Sequence, residues 1–173
     1  MDHLAATVTE ITAFGRPPEL HRAPVGIHAL LDECLSFAEA RTGTEGIEIF
    51  RAYDDACPSD AMLDARELRK AFLNLILNAL ESLSPGGRLT VTTSYAEETK
   101  SLSVIVEDTG SGMSEETVSR MFDLFFTTKP QGTGLGMAIS RSVIDLHGGE
   151  LTIHSVLGQG TRVAARLPIE TPA

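Results

Sequence analysis

Hydrophobic residues recur with the spacing of a helix in four stretches of the chain. The clearest stretch is 64–83, where apolar residues repeat at intervals of three and four and Asp64 stands at the start as an N-cap. The same spacing predicts short helices over 1–15 and 27–41. A fourth helix is predicted to begin near Leu135 and to end at a pair of glycines.

Alternating apolar and polar residues predict strands between these helices. One strand is predicted at 47–53, and 89–95 with 102–108 is predicted to form an antiparallel hairpin. A second such pair is predicted at 150–155 and 162–167. The order of elements predicts an α+β two-layer sandwich, in which helices cover one face of a mixed β-sheet.

Composition limits the possible partners and compartment. The chain has 173 residues, 42% hydrophobic residues and a net charge of −10, which favours one globular domain and argues against nucleic acid or an anionic membrane as the main partner. Cys34 and Cys57 predict buried or half-buried thiols in a reducing compartment. With no apolar run of membrane length and no signal-peptide pattern, we expect a cytoplasmic location, including that of a cytoplasmic part of a membrane protein.

Three alternating glycines mark the entry to the fourth helix. Gly132, Gly134 and Gly136 stand where a polar loop becomes apolar and periodic. A helix N-terminus favours an anion, so the stretch indicates either a phosphate site or an ordinary tight turn. No lysine follows a glycine, as a Walker A loop requires, and Met137 stands where the dinucleotide fingerprint needs glycine. A phosphate site here would therefore be of another kind.

Polar residues in two apolar segments suggest a ligand. Asn74 and Asn78 are four apart on one helical face, which is either solvated or directed at a ligand. Asp108 ends an apolar strand and is followed by Gly110 and Gly112. A carboxylate placed there can accept a hydrogen bond from an exocyclic amine such as that of adenine, although Asp–Gly turns are also common.

A cluster of phenylalanines precedes the glycine loop. Phe122, Phe125 and Phe126 are either hinge anchors of a mobile segment or parts of the core.

Together with the preceding motifs, this segment resembles bacterial sensor histidine kinases in the order and spacing of its motifs over about 23–170. Four motifs carry the resemblance, and that family calls them the N box, first glycine box, F box and second glycine box. In this chain they read, in that order, Asn74…Asn78, Asp108-x-Gly110-x-Gly112, Phe122-x-x-Phe125-Phe126-Thr127-Thr128-Lys129 and Gly132-Thr133-Gly134-Leu135-Gly136.

The resemblance implies the Bergerat ATP-binding fold, with ATP and Mg²⁺ as cofactors. Asp108 would receive the adenine amino group, and Asn78, supported by Asn74, would hold the metal through its amide oxygen. Lys129 would complete the catalytic set by neutralising phosphate charge, a role also open to Arg120. The full set of residues expected at the nucleotide is Asn74, Asn78, Asp108, Gly110, Gly112, Met113, Phe122, Lys129, Gly132, Thr133, Gly134, Leu135, Gly136 and Thr161.

One departure from the family pattern and one discriminating residue refine the expectation. Many relatives carry a lysine where Glu81 stands, which puts one phosphate contact in doubt. Relatives that hydrolyse ATP, such as gyrase and the MutL mismatch-repair proteins, carry a glutamate at position 74, and Asn74 is a poor base for activating water. We also expect 115–131 to form an ATP lid that is mobile without nucleotide.

The nucleophile implied by the resemblance is a histidine on a dimerisation segment outside this chain. Residues 1–22 are expected to be the end of a dimerisation-domain helix and a linker, and 23–173 the catalytic domain. The expected partners are the histidine-bearing dimerisation domain of the same protein and a response regulator, with the parent protein a homodimer. A non-catalytic ATP-sensing interaction module and an anti-sigma-type serine kinase remain the alternatives.

Overall fold

The computed structural model describes residues 19–42, 44–130 and 132–172. The helix predicted at 1–15 lies outside these residues. The elements in chain order are β1 (Ala23–Val25), α1 (Ile27–Thr42), β2 (Glu48–Ala52), β3 (Ala61–Leu63), α2 (Ala65–Ser82), β4 (Arg88–Ala96), β5 (Ser101–Asp108), α3 (Glu115–Arg120), α4 (Gly136–Leu146), β6 (Glu150–Val156) and β7 (Gly160–Pro168).

Five strands form a mixed sheet in the order β2-β4-β5-β7-β6. Strand β2 pairs with β4 in parallel, and every other neighbouring pair is antiparallel. Both predicted hairpins are therefore confirmed. Alternate residues of the central strands, such as Val91 and Val104, are buried together with Leu31, Leu75 and Ile144 of the three long helices. The predicted fold class, a two-layer α+β arrangement, is confirmed.

Helix α2 is central to the site, and its N-terminal end is capped by a side chain. The Asp64 carboxylate accepts hydrogen bonds from the backbone N–H groups of Arg66 (3.0 Å) and Glu67 (3.1 Å), as the predicted N-cap requires. A third backbone donor, His21, reaches the same carboxylate at 2.8 Å. Burial by itself would raise the pKa of Asp64, but these backbone hydrogen bonds outweigh it and lower that pKa.

His147 joins the beginning of α2 to the end of α4. Its imidazole is buried; Nδ1 donates to the Val143 carbonyl (2.8 Å), and Nε2 accepts from the Asp64 N–H (3.1 Å). Burial lowers the pKa of His147, because a charged ring would be desolvated there. The two helices are thus fixed to each other by a neutral histidine.

Three short elements were missed by the sequence patterns. Strands β1 and β3 pair only with each other and have three residues each, too few for alternation to be recognised. Helix α3 has six residues within the predicted lid and is capped by Ser114, whose hydroxyl accepts from the Thr117 N–H at 3.2 Å. A helix of fewer than two turns has no apolar period to detect.

The cysteines lie as predicted, with Cys34 buried and Cys57 half-buried. Burial raises the pKa of the Cys34 thiol to about 11, so it is protonated at neutral pH. Over 19–42, 44–130 and 132–172, none of the helices combines the length and the apolar character needed to cross a membrane.

Candidate functional site

One face of α2 carries three polar side chains. Asn74, Asn78 and Ser82 follow each other at intervals of four and span about 12 Å of helix. The Asn74 amide donates to Ser140 Oγ at 2.9 Å, and the Asn78 amide lies 3.4 Å from Met137 Sδ. Both asparagines are half-buried against the first turns of α4, so this polar face is packed against a neighbouring helix and only partly solvated.

The third member of this face, Ser82, leads to Asp108. The Asp108 carboxylate is buried, with the residue only 6% exposed. Its Oδ1 accepts hydrogen bonds from Ser82 Oγ (2.9 Å) and the Gly110 N–H (2.8 Å). Burial raises the pKa of Asp108, and these hydrogen bonds, with one from the Thr161 backbone, offset part of that rise. Asp108 therefore lies in a polar recess where helix and sheet meet.

Glycines make the close packing around this carboxylate possible. A Cβ added to Gly110 would collide with the side chain and carbonyl of Ser82. Gly160 has φ +109° and faces the Asp108 carbonyl, so a side chain there would be both strained and overlapping. The first glycine motif thus shapes the recess before any ligand is considered.

The second glycine motif packs the start of α4 against α2 and the lid. Helix α4 begins at Gly136, as predicted, and a Cβ at this residue would overlap the Asn74 amide oxygen. Gly134 has φ +68° and lies against the Phe125 backbone, whose N–H donates to the Gly134 carbonyl at 2.9 Å. Glycine is therefore needed at 136 for the close approach to Asn74 and at 134 for the close approach to the lid backbone.

A lid lysine reaches into the site. Lys129 Nζ donates to Asn78 Oδ1 at 2.7 Å and forms an ion pair with Glu81 Oε2. Arg120, the other cation considered for the phosphates, instead lies over the Phe126 ring at 4.4 Å within the lid. The structure therefore brings Lys129, and not Arg120, to the asparagine face.

The phenylalanines of the lid have different environments. Phe122 packs against the core, and the Arg141 guanidinium lies 4.9 Å from its ring centre. Phe125 is 60% exposed and adopts φ +66°, so its assignment to the core is wrong. Phe122 thus packs the lid on the core, whereas Phe125 is exposed and its backbone N–H binds the Gly134 loop.

The remaining predicted residues line the two ends of the site. The Met113 N–H donates to Ser155 Oγ (2.8 Å), which in turn lies 2.9 Å from Thr161 Oγ1 next to Asp108. At the other end, Thr133 Oγ1 accepts from the Leu135 N–H at 3.4 Å, beside exposed Gly132.

Sequence reasoning missed several contributors to the site. Ser82, Met137 and Ser140 contact the predicted residues directly. A spacing of four was the available signal, since Ser82 follows Asn78 and Ser140 follows Gly136 by that interval. The pairing of Glu81 with Lys129 had no local signal, because the lid is distant in sequence.

The chain is similar in sequence to known proteins. Residues 63–171 match the family described as histidine kinase-, DNA gyrase B- and HSP90-like ATPases. The sensor histidine kinase ZraS of Escherichia coli O157:H7 is 29% identical over 168 residues, which are 97% of this chain and 36% of that protein. The histidine protein kinase DivJ of Caulobacter vibrioides is 32% identical over 158 residues, 87% of this chain and 26% of that protein.

A solved structure resembles the chain over nearly its whole length. The crystal structure of full-length ShkA in complex with AMPPNP superposes with a TM-score of 0.86 and 31% identity, and covers 99% of this chain and 37% of that one. The chain thus spans between 26% and 37% of the lengths of these three proteins. The recognised resemblance to histidine kinase catalytic domains is confirmed.

Proposed function

Because this chain belongs to the family of histidine kinase-, DNA gyrase B- and HSP90-like ATPases, we propose that it binds Mg-ATP and transfers the γ-phosphoryl group to a histidine on a dimerisation segment. The relatives named as sensor histidine kinases and the neighbour crystallised with AMPPNP support this choice within the family. Residues 23–173 form the proposed catalytic domain, and 1–22 the proposed linker and helix end. A response regulator and a homodimeric parent complete the proposal.

The observation that carries the proposal is the hydrogen bond between Ser82 and Asp108. It joins the asparagine face of α2 to a buried carboxylate at the end of β5. A purine amine at Asp108 would therefore place the rest of a nucleotide along Asn78 and Asn74. The buried acceptor supplies base recognition, since a base lacking the amine would lose the one hydrogen bond that the carboxylate offers to a ligand.

The donor set also fits a divalent metal. The Asn78 amide oxygen and the nearby Glu81 carboxylate are hard oxygen ligands, and a positive charge, the Lys129 ammonium, already lies against both. Mg²⁺ bound at Asn78 would neutralise phosphate charge. Two other residues complete the phosphate end of the site. Asn74 fixes the position of Gly136 and α4, and Lys129 supplies a lid cation for the phosphates.

Residue 74 favours transfer over hydrolysis. The Asn74 side chain is a neutral amide whose nitrogen already donates to Ser140. It takes no proton near neutral pH and therefore does not activate water. We expect bound ATP to remain unhydrolysed until the imidazole of the acceptor histidine reaches its γ-phosphate.

Phosphoryl transfer to a separate fragment tests the proposal. The chain is incubated with ATP labelled in the γ-phosphate and with a dimerisation fragment carrying the acceptor histidine. We expect label on the fragment that is lost in acid and is stable in base. The variant Asn78→Ala should abolish transfer, whereas Glu48→Gln, at the distant edge strand β2, should leave it unchanged.

Other results would redirect the proposal. ATP binding without label on any fragment would indicate an ATP-sensing interaction module. Acid-stable label on a protein partner would indicate a serine kinase. Failure of the chain to bind ATP at all would contradict the family role itself.

A further inference from the structure

The ammonium of Lys129 bridges two oxygens of α2. It lies 2.7 Å from Asn78 Oδ1 and forms an ion pair with Glu81 Oε2. Asn78 and Glu81 are three residues apart, so their side chains lie on the same face of α2. The lysine comes from the lid, 51 residues beyond Asn78 in sequence.

This contact differs from an ordinary exposed ion pair. Lys70 and Glu67, on the same helix, form such a pair at 2.7 Å between neighbouring turns. That pair closes no tertiary contact, and exposed pairs of this kind stabilise proteins little. Lys129, by contrast, ties a distant segment to an amide oxygen as well as to a carboxylate, and it is the cation that connects the lid with α2 in the part of the chain described here.

We propose that Asn78 Oδ1 and Glu81 Oε2 form a two-oxygen cation site that Lys129 fills in the nucleotide-free chain and that a divalent cation takes over. Displacement frees Lys129 from α2, so it becomes available to the phosphates. The inference rests on the proposed function for its last step only. It assigns Glu81 a role as metal ligand and as the residue that holds the lid.

The physical basis is competition between like charges. An ammonium and a divalent cation repel each other strongly at contact distance, so both do not occupy two oxygens at once. Removing Lys129 therefore favours the metal, and removing the Glu81 charge disfavours it. A purely structural role predicts another pattern, since both changes would loosen the lid and act in the same direction.

The test is binding of Mn²⁺ alone, measured without nucleotide by electron paramagnetic resonance of the free ion. We expect Lys129→Met to bind Mn²⁺ on the order of tenfold more tightly than the unchanged chain, and Glu81→Gln on the order of tenfold more weakly. Lys70→Met is the matched lysine control, and Glu48→Gln is the matched carboxylate control. Both controls should bind as the unchanged chain does.

Three results would overturn the inference. They are an absence of Mn²⁺ binding by Lys129→Met, a change in the same direction for both variants, and equal changes in the controls. Hydrogen exchange provides a second readout: Mg²⁺ alone should speed exchange over 115–130 in the unchanged chain, whereas Glu81→Gln should already exchange fast without it. Unchanged exchange on both counts would also overturn it.

This experiment separates the inference from the proposed function. Mn²⁺ binding is read without ATP, and phosphoryl transfer is read on a separate fragment. A chain that binds metal as expected but transfers no phosphate retains the cation site and loses the kinase role. A chain that transfers phosphate with no response of Mn²⁺ to either variant loses only the cation site.

Discussion

At one end of the site, the Asp108 carboxylate is buried and receives hydrogen bonds from a helix, a loop and a neighbouring strand. At the other end, Lys129 and Glu81 meet with side chains 44% and 46% exposed. The Asp108 recess is therefore fixed by packing and desolvation. The lid contact depends on charge and is screened by water and salt.

The two ends of the site therefore suit different roles. A buried acceptor with fixed partners discriminates among bases, because its orientation is set and a mismatched base cannot donate to it. An exposed charge pair is weak enough to exchange partners, which a lid must do. Changes at the recess should therefore have large effects, and changes to exposed pairs small ones.

The largest effect is expected for Asp108→Asn. The substitution keeps the shape of the side chain but replaces a charged acceptor by an amide, so we expect ATP binding to weaken about 100-fold, or about 3 kcal/mol. Titration calorimetry measures this. Glu107→Gln is the control, since Glu107 is the preceding residue on β5 and forms an exposed pair with Arg162 at 2.7 Å. Equal losses in both variants would contradict the assignment of Asp108.

Gly136→Ala should have the next largest effect. Alanine normally favours a helix, but here its Cβ would overlap the Asn74 amide oxygen, so we expect a loss of about 1–3 kcal/mol in the free energy of unfolding and weaker ATP binding. Urea unfolding and calorimetry measure the two losses. The control is Gly158→Ala, where φ is +79° but the added Cβ meets no atom within 4 Å. It should lose stability through backbone strain without losing ATP affinity.

Acid should destabilise the chain through His147. Because burial lowers the pKa of His147, the unfolded chain binds a proton at higher pH than the folded chain does. This stability is present above the unfolded pKa of roughly 6.5 and falls as pH drops below that value. Urea midpoints measured from pH 8 to 5.5 test the sign. His147→Gln should flatten the dependence, whereas replacement of the exposed His154 should not.

The smallest effect is expected for Arg162→Gln. Its partner Glu107 and Arg162 itself are each 50% exposed, so we expect a change of at most about 0.5 kcal/mol in the free energy of unfolding. ATP binding should not change. A loss comparable with that of Gly136→Ala would remove the contrast between buried and exposed polar contacts.

Local features of the fold were predictable from sequence, whereas its tertiary contacts were not. The Asp64 cap, the hairpins and the glycine entry to α4 depend on neighbouring residues, so their patterns are visible in the chain. The Ser82–Asp108 and Lys129–Glu81 contacts join residues 26 and 48 positions apart. Asp108, Lys129 and Glu81 were named from the sequence and Ser82 was not, and spacing alone does not reveal which of these side chains meet.

The shared face of α2 has a consequence for how this protein can vary. Asn74, Asn78 and Ser82 lie on one helix. A natural change in the buried residues behind them, such as Leu75 or Ile76, therefore shifts the asparagine end and the Asp108 end of the site together. Exposed lid residues such as Leu124 and Phe125 do not lie on this helix. Inherited diversity should therefore accumulate in the lid, while the interior of α2 drifts slowly and only through compensated pairs of changes.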